Sequence, residues 1–133
     1  MTTYKIILPS DEMPDFYQGA VKEYIKRLGR YCHIVIQYLD DPQNLDTIIE
    51  GFYCFKVSNK GKSLTSENFS ESLEDLSVKG HSKVAFMINI KTTSFDDSLS
   101  LTSLDLTCGL SLTCLLEQLY RGYKISKNEP YHK

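Results

Sequence analysis

The residues best suited to chemistry lie at the carboxyl end, LLEQLYRGYKISKNEPYHK, where aromatic rings alternate with cationic and imidazole groups. Leu115, Leu116, Leu119, Tyr120 and Tyr123 recur at helical spacing while Arg121, Lys124 and Lys127 fall towards another side, so one face can pack and the other can meet an anion. Pro130 stops a helix and leaves Tyr131, His132 and Lys133 as an expected free end. Guanidinium, ammonium and phenol groups in this order suit phosphate contact and base stacking, which makes Arg121, Lys124, Tyr131, His132 and Lys133 candidates for a nucleic-acid surface. Lys22, Lys26 and Arg30, spaced by four, form a second cationic stripe with Arg27. Taken alone, either stripe also reads as a solvated helix face.

The remaining composition narrows the options. A net charge of -2 excludes a global basic field that would gather nucleic acid non-specifically. Acids concentrate elsewhere, at Asp40, Asp41, Asp46 and Glu50, at Glu67, Glu71, Glu74 and Asp75, and at Asp96 and Asp97, so the molecule is polarised. Cys32, Cys54, Cys108 and Cys114 lack the paired short spacings of zinc or dithiol sites and read as reduced, mostly buried thiols. With 133 residues the chain is expected to be one domain, 1–133, with a single core. No apolar run is long enough to span a bilayer, and MTTYKIILPSDEMP lacks the features of a secretory signal, so a cytoplasmic location is expected.

The elements that must position these groups follow from periodicity. Strands are expected over 4–8, 31–39, 52–57, 83–90 and 99–106, and helices over 14–28, 44–50 and 66–78, with a final helix from near Gly109. Gly29 and Gly80 are natural helix ends, and 91–98 reads as a polar loop. The continuous VAFMINI run needs cover on both faces, as in a parallel sheet. Alternating strands and helices make this an α/β three-layer fold with a largely parallel five-stranded sheet. Ligands would then sit at the carboxyl ends of strands, in the loops after Val57, Ile90 and Leu106.

Three segments carry a family resemblance: YKIILPSDEMPDFYQGAVKEYIKRLGRY, FKVSNKGKSLTSENFSESLEDL and LLEQLYRGYKISKNEPYHK. Their most specific parts are EYIKRLG, the Gly61-Lys62 turn followed by Leu64-Thr65-Ser66, and Leu119-Tyr120-Arg121 with Tyr131-His132-Lys133. They resemble the RlmH family, SPOUT-class bacterial methyltransferases, over nearly the whole chain. The resemblance implies a homodimer with a trefoil-knotted carboxyl-terminal half, and methylation of N3 of a pseudouridine in large-subunit ribosomal RNA from S-adenosylmethionine. It also implies a cofactor held by backbone groups of three loops.

Measured against that pattern, the chain departs on the donor side. The first loop survives as Ser58 to Lys62, but after Phe86-Met87-Ile88 a glycine-rich loop is replaced by NIKTTSFDD, which contains no glycine. The family's Pro-His pair falls on Thr107 and Cys108, an arginine falls on Leu112, and the second helix is short. The positions left for a cofactor are Gly61, Leu104, Leu106 and Cys108. These departures lead to the expectation of a degenerate relative without methyltransferase activity and without a cofactor, acting as a dimeric binding or regulatory module for RNA, DNA or a protein. The alternative is an active S-adenosylmethionine-dependent RNA methyltransferase with a rebuilt loop. A further option is a protein-binding module using the acidic helix around Glu67 to Asp75.

Overall fold

The VAFMI run lies at the centre of the molecule. In the computed structural model, which describes residues 1–9 and 13–131, it forms β4 (Lys83–Ile88), hydrogen-bonded in parallel to β1 (Thr3–Pro9) on one side and β3 (Tyr53–Val57) on the other. Strand β2 (His33–Leu39) adds to β1, and β5 (Asp97–Leu99) adds to β3, again in parallel. The sheet order is β2-β1-β4-β3-β5, so the expected parallel five-stranded sheet is present.

Alternation along the strands divides the core in two. Ile6, Leu8, Phe55, Val57, Phe86 and Ile88 face one side, where they meet α1 (Gln18–Leu28), α3 (Ser66–Val78) and α4 (Cys108–Ser126) through Val21, Leu28, Phe69, Leu112, Leu115, Leu116 and Leu119. Ile7, Cys54, Ala85 and Met87 face the other side, covered by Leu39, Ile90 and Leu45 of the one-turn helix α2 (Leu45–Ile48). The three layers are therefore unequal: the long helices share one face. Phe86 is completely buried, and a phenyl ring so placed contributes about 1.5–3 kcal/mol.

Several boundaries differ from the sequence expectation, each for a local reason. Strand β2 starts at His33 because the Tyr31 and Cys32 amides both donate to the Leu28 carbonyl and prolong the turn after α1. A single 3-10 turn, Asp15–Tyr17, precedes α1, and another, Pro42–Asn44, precedes α2. Strand β4 ends at Ile88 because Asn89 adopts φ 54 and turns the chain out of the ladder. The fifth strand is Asp97–Leu99, not 99–106: the leucine alternation there marks the wall of a cleft. Helix α3 matches its expected bounds, with the Thr65 hydroxyl accepting from the Asn68 amide at its start and Gly80 at φ 91 after its end.

The segment following β5 passes tightly beneath the loop that follows β3. The Ser58 amide donates to the Leu99 carbonyl at 3.0 Å, and the Ser100 amide donates to the Lys62 carbonyl at 2.9 Å. At the crossing, a Cβ on Gly61 would lie 2.6 Å from the carbonyl carbon and oxygen of Leu99. Only a residue without a side chain permits that approach.

Candidate functional site

Beyond the carboxyl ends of β3 and β4, the three expected loops meet in one cleft. Ser58 and Asn59 come from the loop after β3, Asn89 from the end of β4, and Leu101, Leu104, Asp105 and Leu106 from the segment before α4. Leu101, Leu104 and Leu106 supply apolar wall, and Ser58, Asn59, Asn89 and Asp105 supply polar groups. Among the described residues lining the cleft, Asp105 is the one ionisable side chain. The amino-terminal end of α4 stands beside it and adds the positive end of a helix dipole. The cleft encloses about 50 Å³.

The four cofactor positions expected from sequence separate here. Leu104 and Leu106 line the cleft. Cys108 opens α4, and its sulfur accepts a hydrogen bond from the Asn89 amide nitrogen at 3.2 Å. Gly61 packs against the Leu99 backbone and serves the chain crossing instead. Leu112, which stands where an arginine was expected, is completely buried in the core. Asn89, Asn59 and Asp105 were not anticipated; an asparagine directly after a buried strand is the signal that could have found Asn89, since asparagine tolerates positive φ better than other side-chain-bearing residues. Next to the cleft, the Tyr17 hydroxyl lies 3.2 Å from the Thr107 hydroxyl, and the Tyr17 ring occupies the space a Cβ on Gly109 would need.

The tail forms a second constellation at the opposite end of α4. Thirteen residues of helix separate Cys108 from Arg121, a rise of about 20 Å. Tyr131 is not a free end: its ring meets Tyr120 edge-on at 4.9 Å, the Arg121 guanidinium lies 5.0 Å from its centroid, and its hydroxyl donates to Glu117 at 3.4 Å. Arg121 is bound to both Glu117 oxygens at 3.2 Å. Lys124 donates to Glu129 at 3.0 Å, and the Tyr31 hydroxyl donates to the other Glu129 oxygen at 3.1 Å. The Lys124 and Tyr31 hydrogen bonds hold the Glu129 carboxyl below the usual range, and the same contact with Glu129 raises the Lys124 ammonium.

Lys22, Lys26 and Arg30 are exposed along and just past α1. The structure joins this stripe to the tail at one end, where the Arg30 guanidinium lies 5.3 Å from the Tyr31 ring centre and Arg27 lies 5.7 Å from that of Tyr120. Tyr24, Tyr31, Glu117 and Glu129 were missed as members of this surface; the Glu117–Arg121 pair was readable from its spacing of four, whereas Glu129 returns by a turn that no periodicity reports. His132 and Lys133 lie outside the described residues. Among the described residues no cluster of ligands suits a metal ion, and no helix is long and apolar enough to cross a membrane.

A model of the family described as "Predicted SPOUT methyltransferase" matches residues 2–132. The chain belongs to the SPOUT methyltransferase family. It is 37% identical over 131 residues to ribosomal RNA large subunit methyltransferase H 1 of Thermoanaerobacter sp. (strain X514), covering 98% of each chain. Ribosomal RNA large subunit methyltransferase H 2 of Thermoanaerobacter pseudethanolicus gives the same identity and coverage. The Lactobacillus gasseri enzyme of that name is 30% identical over 156 residues, covering 97% of this chain and 98% of the relative. This places the chain with the RlmH proteins and assigns the SPOUT family's knotted topology to the crossing of Leu99 past Gly61.

These similarities overturn the expectation of a degenerate protein without activity or cofactor. Relatives named as methyltransferases match it end to end, and the two Thermoanaerobacter proteins do so without being longer, so the short loop after β4 is not a loss peculiar to this chain. The sequence inference failed because it equated a missing glycine with a missing backbone conformation. Asn89 takes up positive φ where the strand ends, and the three loops still converge. Family and relatives together point to an RNA methyltransferase.

Proposed function

We propose that the protein is an S-adenosylmethionine-dependent methyltransferase acting on a pseudouridine of large-subunit ribosomal RNA, and that it works as a homodimer. The observation that carries this reading is the cleft at the carboxyl ends of β3 and β4, built from three loops and closed on one side by the start of α4. Its donor set suits the methyl donor chemically: leucine walls for a purine ring, serine and asparagine groups for a ribose, and Asp105 for a cationic amino acid moiety. When bound, S-adenosylmethionine would supply an electrophilic methyl group on a sulfonium. The chain's own task is to hold an RNA base in line with that group and to exclude water, a positioning effect that can provide most of the acceleration.

The separation of about 20 Å between cleft and tail along α4 supports the dimer. The basic-aromatic tail of one chain cannot serve its own cleft without leaving the helix, whereas a second copy can bring its tail to it. Arg121, Lys124, Tyr131 and the α1 stripe of Lys22, Lys26 and Arg30 are the residues we assign to RNA contact.

The test is transfer of labelled methyl from S-adenosylmethionine to ribosomes of a strain lacking this methyltransferase. Label in large-subunit RNA is expected, lost on Arg121→Ala and reduced at least tenfold by Asp105→Ala. Absence of both methyl transfer and cofactor binding in calorimetry would remove the proposal.

A further inference from the structure

We propose that Asn89 and Cys108 form a latch across the cofactor cleft that keeps it closed in the free chain and sets its affinity for S-adenosylmethionine; this rests on reading the cleft as the cofactor site. Ligands of that size occupy several hundred cubic ångströms, whereas the cleft encloses about 50 Å³. Some wall must move. Three observations place the closure at Asn89.

First, Asn89 ends β4, the central strand of the sheet, and lines the cleft itself. Second, its backbone is at φ 54, so the carboxamide is carried by a conformation that costs a residue with a Cβ more than glycine. Third, that carboxamide donates to the Cys108 sulfur at 3.2 Å. The bond thus spans two fixed elements, since β4 is buried between β1 and β3 and α4 is anchored by Leu112, Leu115 and Leu116. Between them runs the segment bearing Leu104, Asp105 and Leu106, whose hydrogen bonds are few and local, such as the Ser100 hydroxyl to the Thr102 carbonyl at 2.8 Å. An amide donating to a neutral thiol is a weak bond, so the latch holds the closed form by no more than about tenfold. A cofactor can therefore open it, and that opening lowers apparent affinity by the same factor.

The test compares the full-length wild type with Asn89→Gly and Cys108→Ala by calorimetric titration of S-adenosylmethionine, with alkylation of Cys108 followed by mass spectrometry. Glycine removes the carboxamide and suits the left-handed backbone, so it is expected to tighten binding about fivefold to tenfold, and Cys108→Ala about twofold to fivefold. Saturation with S-adenosylmethionine should speed alkylation of Cys108 in the wild type by freeing its sulfur. Equal or weaker binding by both variants, beside measurable wild-type binding, overturns the latch and leaves the cofactor reading standing. If wild type and both variants all fail to bind, the cofactor reading fails and the latch with it. Binding by Asn89→Gly where the wild type shows none supports the latch in its strongest form.

Discussion

Gly61 and Asn89 show two ways in which a single residue serves the site through its backbone. At Gly61 the demand is space: a Cβ would meet the Leu99 main chain at 2.6 Å, and neither partner is a flexible side chain that could yield. Gly61→Ala is expected to cost about 3 kcal/mol or more in urea unfolding, at the upper end for overpacking; a loss under about 0.5 kcal/mol would show that the crossing is looser than this. At Asn89 the demand is a dihedral. The sequence made Gly61 conspicuous within its motif but suggested the wrong task, because proximity between residues 61 and 99 belongs to no local pattern. It hid Asn89 altogether, since glycine was taken as the only bearer of positive φ.

At the scale of elements, α4 joins the two halves of the site. Its apolar face was legible, and Leu112, Leu115, Leu116 and Leu119 are all completely buried. Leu116→Ala should therefore cost about 2–5 kcal/mol, read as a lower denaturation midpoint. Its polar face was legible only in part. The cations of the tail are held by Glu117 and Glu129, so phosphate must displace carboxylates before it is bound. Glu129→Gln is expected to raise RNA affinity severalfold and to steepen its dependence on salt, because Lys124 becomes available for another phosphate. Unchanged affinity and salt slope would mean that Lys124 stays outside the RNA contact. Exposed ion pairs of this sort add little to stability, so the variant should unfold like the wild type.

For the whole molecule, burial sets the response to alkali. It raises the Cys32 thiol from 9.0 to about 11, the Cys54 thiol from 9.0 to about 11, and the Tyr4 phenol from 10.0 to about 12. Each group is held protonated more firmly in the folded chain than in the unfolded one. Their contribution is thus complete below about pH 9 and is lost as pH rises towards 12, so the urea midpoint should fall across that window. A midpoint that stays level from pH 8.5 to 11.5 would contradict this burial. The proposed homodimer predicts a mass in light scattering of twice 15.2 kDa; a monomer that still methylates RNA would exclude it. The parallel sheet was readable at this scale because buried strands lack polar alternation. The unequal layers were not, since the sequence does not say on which face of the sheet a helix will lie.

The crossing of Leu99 past Gly61 also governs how the molecule responds to force. A pull on the carboxyl end draws the chain after β5 against the loop from Ser58 to Lys62, where paired amides and bare backbone leave no slack. Traction applied there tightens the loop before it frees a strand. A degradation machine that unravels proteins from that end would stall at this point, whereas one starting at the amino end would first peel β1 from the centre of the sheet.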